Sequence, residues 1–271
     1  MDETWNALAR EAGLAAEHLG FGATVLSSAN YAETARYYQG FFSLSVGLER
    51  GAKLALAVDY SLLHGRFPEE GELRDFGHDL QALLESVDEI AARRESKHRI
   101  PSSEINASIL SIMSQFANNI TRYYNLDIVT GSGRISGITD PIADWHTRVL
   151  LPASKLYVTK RRREVIERNA RVVEGLIGPF AFVQHTSETG EPLNSAYESS
   201  RATGMTEAAQ PHVRVCVLQF ARFMGSVFSS ISHDAYRQGR GDLPDFSDFF
   251  RIYNNSDAYF RGRKTWSIYK L

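Results

Sequence analysis

The chain has 271 residues, 43% hydrophobic, 11% aromatic and 23% charged, which excludes an extensively disordered or low-complexity protein and supplies enough apolar side chain for its own core. A single cysteine, Cys216, excludes an internal disulfide; with no cationic start leading into an apolar run and cleavage site, the expected location is the cytoplasm. The formal net charge of −2 conceals a division, because residues 1–151 hold 20 Asp and Glu against 13 Lys and Arg, whereas residues 152–271 hold 12 against 17. A contrast of that size points to a basic surface able to meet an anion such as nucleic acid, the alternative being an uneven helical surface of no functional meaning.

Trp5, Leu8, Ala9 and Ala12, at steps of three and four, predict an amphipathic helix over about 4–18, and Gly20 and Gly22 predict a break before a second one. Residues 32–64 read as a helix that is apolar almost all round after Tyr38, hence the centre of a bundle. Gly47 and Gly51 in it predict close approach of a neighbouring helix, at a cost of about 1 kcal/mol of helix propensity each. The stretch 41–63 is long enough to raise a membrane span, but it carries Glu49, Arg50, Lys53 and Asp59. Each such charge costs roughly 2.5–3.5 kcal/mol in mid-bilayer, so a buried helix is expected and no membrane partner.

Residues 71–92 predict a third helical region with a turn at Phe76-Gly77, followed by a charged connector, 93–101. Ser102 or Ser103 then caps a long helix reaching about residue 126. A glycine loop over 131–137, closed by Asp140-Pro141, is the best internal boundary. It divides the chain into 1–138, a helical bundle, and 139–271, a helical region either separate or packed on the first as one unit. In the second part, 141–157 is short and mixed, 159–177 is a basic helix, 180–186 a short strand and 187–210 a loop without apolar period. Pro211 opens a helix to about 237. A turn over 239–244 leads to a last helix over about 245–260 and an aromatic tail from Trp266 to Tyr269. The fold class expected is mainly α.

Five constellations stand out. Glu49 and Lys53 share a face with Phe42, Val46, Leu56 and Tyr60; they form either an ion pair at the stripe edge or part of a polar pocket. In Gly77-His78-Asp79-Leu80, His78 or Asp79 caps the next helix, or His78 faces a site between helices, where its near-neutral titration is useful. Ser111, Gln115, Asn118, Arg122 and Asn125 fall at helical spacing and predict either a solvated face or a hydrogen-bonding wall. Lys160, Arg161, Arg162, Arg163, Arg168 and Arg171 form a basic run, either solvated or phosphate-binding; Arg261, Arg263 and Lys264 with Tyr259, Phe260 and Trp266 either stack on single-stranded nucleic acid or dock the C-terminus. No paired-cysteine or His-Glu-x-x-His spacing, phosphate-binding glycine loop, dinucleotide turn or nucleophile elbow is present, so neither metal nor cofactor is expected.

The segments Tyr37-Tyr38-Gln39-Gly40-Phe41-Phe42, Leu48-Glu49-Arg50-Gly51-Ala52-Lys53 and His78-Asp79-Leu80, with Arg122-Tyr123 further on, resemble in order and helical setting the HEPN family of helical domains over residues 30–128. That resemblance implies an N-terminal HEPN-like bundle with a helical C-terminal extension. It also implies RNA as partner and a toxin or phage-defence setting. Members include metal-independent endoribonucleases in which an Arg and a His, four to six residues apart, act across a homodimer; others only bind partners. Here Asp127 stands where the histidine is expected, and a carboxylate ionised at neutral pH has no proton to give a leaving oxygen. If RNA is cleaved, Arg122 is the expected phosphate-binding cation, with His78 and Asn125 as proton-transfer or positioning groups and Asn118 beside them. Glu49, Lys53, Asp127, Arg161, Arg162 and Arg163 are the expected binding residues. The alternative is a non-enzymatic helical module for a protein partner or small ligand.

Overall fold

The computed structural model describes residues 3–267 and is 72% helical with 2% strand, a mainly α protein. Its axis is a pair of long helices, α2 (Ala35–His64) and α10 (Ala196–Arg237), which pack on one another. The helix α1 (Glu3–Leu26) lies along α2. Small residues set that contact: Ala12, Ala15, Ala16 and Ala23 of α1 are fully buried, and a Cβ at Gly47 would sit 2.9 Å from Leu19 N and 3.1 Å from Ala15 O. The backbones meet where a side chain would keep them apart. At Gly51 the expectation is met only in part, since the nearest atom is Met224 Cε, at the end of an α10 side chain.

The other side of α2 is covered by α4 (Leu80–Arg93) and α5 (Glu104–Ala117), joined to it through the short α3 (Glu70–Asp75). Leu80, Leu83, Leu84, Val87 and Ile90 form the buried stripe of α4, each worth roughly 1.5–3 kcal/mol when fully removed from water. Asp79 caps α4 by accepting from Ala82 N–H, and Ser103 caps α5 by accepting from Asn106 N–H. An ion cluster, buried at Asp59 and Arg94 and open to solvent at Arg93 and Asp234, ties three helices: Asp59 accepts from Arg93 and Arg94, and Arg94 also pairs with Asp234 of α10. Each desolvated charge there has a partner, the condition for keeping it inside.

Beyond α6 (Tyr124–Val129) the chain runs through α7 (Pro141–Trp145), a five-residue π-helical segment (His146–Leu150) and α8 (Leu151–Tyr157). Pro152 has no N–H to close the next α-helical bond, and Leu151 N–H reaches His146 O instead. Helix α9 (Lys160–Ile177) packs on the first half of α10, with a two-stranded hairpin between them in sequence, β1 (His185–Thr186) antiparallel to β2 (Pro192–Leu193). The chain ends with α11 (Ser247–Phe250) and α12 (Asp257–Gly262) against α10, where Phe228 and Phe250 stack at 4.6 Å. Helix α10 has an apolar window long enough to cross a membrane, but 67% of that window is buried inside the fold.

Four boundaries differ from those expected. Gly20 and Gly22 do not break α1; they lie inside it, facing Trp266 and Leu44 respectively, and supply room for packing rather than a turn. The helix expected to reach residue 126 stops at Ala117, because Asn119 takes a left-handed φ of 59° while Ile120 N–H bonds to Gln115 O and Asn119 N–H to Phe116 O, closing the helix end. Residues 196–210, expected as loop, are helical: Ser195 caps them and they hold four alanines, the strongest helix former, with Pro211 inside the helix rather than at its start. The expected last helix over 245–260 is instead α11, a 3₁₀ turn (Arg251–Tyr253) and α12. Tyr269 lies outside the described residues.

Candidate nucleic-acid interface

The first turn of α9, the end of α1, the start of α2, the middle of α10 and the C-terminal segment enclose a cleft of about 690 Å³. Five cationic side chains line it, Arg36, Arg162, Arg214, Arg261 and Lys264, against the carboxylates of Glu33 and Glu207. Arg36 pairs with Glu33 at 2.9 Å. Arg214 is buried and donates to main-chain carbonyls, to Phe260 O at 3.0 Å and to Arg261 O, and among the described residues its charge is paired with no carboxylate; burial lowers its pKa from the usual arginine value. Among the described residues Arg162, Arg261 and Lys264 have no side-chain hydrogen bond or ion pair. The hydroxyls of Thr24, Ser27 and Ser28, also in the cleft, donate to helix carbonyls. The donors left for a bound anion are therefore the guanidinium and ammonium groups, with the Asn30 amide and the Thr265 hydroxyl beside them.

The placement of α9 sharpens this field. Thr159 caps it, and its first turn holds Lys160, Arg161, Arg162 and Arg163 with no acidic residue. Cations at the positive end of a helix dipole lose roughly 0.3–1 kcal/mol each where anions would gain it. Positive potential is concentrated there at the expense of the helix. The three arginines expected to bind have different tasks: Arg163 donates to Val158 O and Ser154 O and so caps α8, Arg161 is exposed outside the cleft, and Arg162 lines it. The C-terminal cluster divides likewise. Phe260 and Trp266 are buried and dock the segment, and Arg263 lies over the Tyr259 and Trp266 rings, whereas Arg261 and Lys264 face the cleft.

The remaining sequence-derived residues fall elsewhere, at two stations on the partly exposed face of α2. At one, Glu49 Oε1 lies 2.9 Å from Lys53 Nζ and 2.9 Å from His78 Nδ1, with Lys53 Nζ 3.1 Å from the same imidazole nitrogen. Burial pushes the Glu49 pKa up, but the hydrogen bonds from Lys53 and His78 outweigh it and leave the carboxyl below its ordinary range. His78 itself is 81% exposed. At the other station, the Arg122 guanidinium sits 5.3 Å from the centroids of both Phe42 and Phe116, a double cation–π contact, with Nε shielded and without a hydrogen-bond partner among the described residues.

Phe42 and Glu49 are seven residues apart on one helix face, which separates the stations by about 10 Å along the axis. Asn118 is the exposed residue just past the end of α5 and Asn125 is exposed on α6, so the expected wall of one helix face is divided by the left-handed turn at Asn119. Asp127 closes the turn after α6, its main-chain carbonyl accepting from Ser132 N–H at 2.9 Å.

Sequence reasoning missed a further cluster. The hairpin tip carries Glu188, whose side chain is 2% exposed; Tyr37 OH donates to its Oε1 at 3.2 Å, and His146 Nδ1 lies 3.9 Å from Oε2. Burial first, then the Glu188 charge and hydrogen bond, raise the Tyr37 pKa far above the usual phenol value. A glutamate between polar residues in a Ser-Thr-Gly stretch gives no sign that it plugs a core 151 residues away from its partner. No group of three or more His, Cys, Asp or Glu side chains suited to a metal occurs among the described residues. Comparison with protein-family models, with curated proteins and with solved structures finds no match.

Proposed function

We propose that the protein binds RNA, with the phosphate backbone lying in the cleft between α9, α10 and the C-terminal segment. The observation that carries this reading is the set Arg162, Arg261 and Lys264, three cations brought together from distant parts of the chain with no carboxylate paired to them among the described residues. Such groups neutralise phosphates and release counterions, the main source of sequence-independent nucleic-acid affinity. Residues 30–128 act in this reading as a HEPN-like unit that holds the fold rather than cuts. Arg122 and His78 stand at separate stations, and Asp127 occupies the histidine position; both favour binding over cleavage. A toxin or phage-defence role follows only from the resemblance.

The test replaces Arg162, Arg261 and Lys264 together by alanine and follows binding of a short single-stranded RNA by fluorescence anisotropy. Loss of binding with an unchanged circular dichroism spectrum supports the reading, and unchanged affinity removes it. A second reading, docking of a protein partner, draws on Phe180 and Phe182, which are 90% and 91% exposed at the end of α9. Replacing both by serine abolishes such docking and leaves RNA affinity unchanged.

A further inference from the structure

Next to the basic cleft, and sharing Arg162 and Glu207 with it, lies a second cavity of about 500 Å³ between α9 and the start of α10. That volume falls inside the roughly 300–1,000 Å³ of ligand pockets. Its character differs from the cleft. Ile166, Val173 and Ile177 form an apolar wall, and Tyr31 and His185 supply two rings with centroids 5.5 Å apart.

Polar groups converge on the same space. Ser199 Oγ is shielded from solvent and has no hydrogen-bond partner among the described residues, while Asn169 offers both amide donors and an acceptor. A shielded hydroxyl with no partner costs free energy unless something supplies one. The rings are also held in place. Tyr31 OH donates to Ser199 O at 3.3 Å, and the hairpin carrying His185 is pinned through Glu188 to Tyr37.

We infer that this cavity takes one unstacked nucleobase of the RNA strand whose phosphates occupy the cleft, with Arg162 at the shared rim contacting the backbone where the strand turns in. The inference rests on the RNA-binding reading. Aromatic rings stack any base face, the apolar side chains cover part of it, and the Asn169 amide lies on the cavity wall to meet its edge. The ligand class is single-stranded RNA, because a paired base does not leave its stack to enter a side pocket without loss of pairing.

The experiment compares a short single-stranded RNA with the same ribose-phosphate backbone carrying abasic residues. The wild type binds the RNA more tightly than the abasic strand, on the order of tenfold, the usual effect of one stacked base. Tyr31→Ala removes that preference and leaves abasic binding unchanged, which also shows that the variant is folded; Tyr31→Phe, which keeps the ring, retains it. Arg162→Ala weakens both strands. Equal binding of both strands by the wild type, or a preference that survives Tyr31→Ala, overturns the base pocket while the cleft stands. If neither strand binds, the cleft reading falls and this inference with it.

Discussion

Alanine at Gly47 and at Gly51 is the same chemical change in one helix, and the structure gives it opposite signs. Either substitution gains about 1 kcal/mol of helix propensity. At Gly47 the new Cβ lands 2.9 Å from Leu19 N and 3.1 Å from Ala15 O, which are backbone atoms of α1 and move only if the whole helix moves. Overpacking of this kind costs about 1–3 kcal/mol, so Gly47→Ala is expected to be destabilising by up to about 2 kcal/mol net. At Gly51 the nearest atom is Met224 Cε at 3.1 Å, the end of a flexible thioether that can rotate aside. Gly51→Ala is therefore stabilising by up to about 1 kcal/mol. Thermal unfolding followed by circular dichroism reads the difference, with each kcal/mol moving Tm by about 2–4 °C in a protein near this size. If the two variants shift Tm equally, or Gly47→Ala is the more stable, the α1–α2 backbones do not meet as described.

Glu49 contributes to stability through its ionised form. Because its pKa is depressed in the folded state, that contribution is complete above the ordinary glutamate value of 4.5 and fades as pH falls through the lower native value. Plots of Tm against pH for the wild type and Glu49→Gln should differ above about pH 5 and converge in stronger acid; parallel curves contradict the pairing with Lys53 and His78. Glu188→Ala leaves the Tyr37 hydroxyl buried and unpartnered, which should cost about 1–3 kcal/mol by urea denaturation. Adding Tyr37→Phe should recover part of it, and a second decrease of the same size would show that the hydroxyl was not the cause. Arg161→Glu places an anion at the positive end of α9, outside the cleft, and should raise stability by about 0.3–1 kcal/mol in low salt. A fall in Tm on that substitution contradicts the charge conflict described for the first turn of α9.

Periodicity sufficed for the mainly α class, for α2 as a central helix, and for the caps of α4 and α5, because those are local consequences of spacing and side-chain oxygen. It failed where tertiary contact overrides local preference. Gly20 and Gly22 read as a break, yet they are the points where the C-terminal segment and Leu44 press on α1. Residues 196–210 lack an apolar period because one face closes on α9 and another lines the cavity, leaving no continuous buried stripe. Asn118-Asn119 was a legible stop signal, outweighed by the helical spacing of Arg122 and Asn125 that continues across it. Of the cleft, Arg162 and the C-terminal basic cluster were visible as separate patches. Their convergence with Arg36 and Arg214 depends on how α1, α2, α9 and α10 pack, which residue spacing does not encode.

Neutralisation of phosphates by the three unpaired cations of the cleft is most directly read from salt dependence. Affinity for a short single-stranded RNA, measured across a salt series, should fall steeply for the wild type on a logarithmic plot. The slope should flatten by about 2 when Arg162, Arg261 and Lys264 become alanine, at about 0.7 for each phosphate left without its cation. A salt-independent affinity, or a slope that the triple substitution leaves unchanged, contradicts phosphate binding in the cleft.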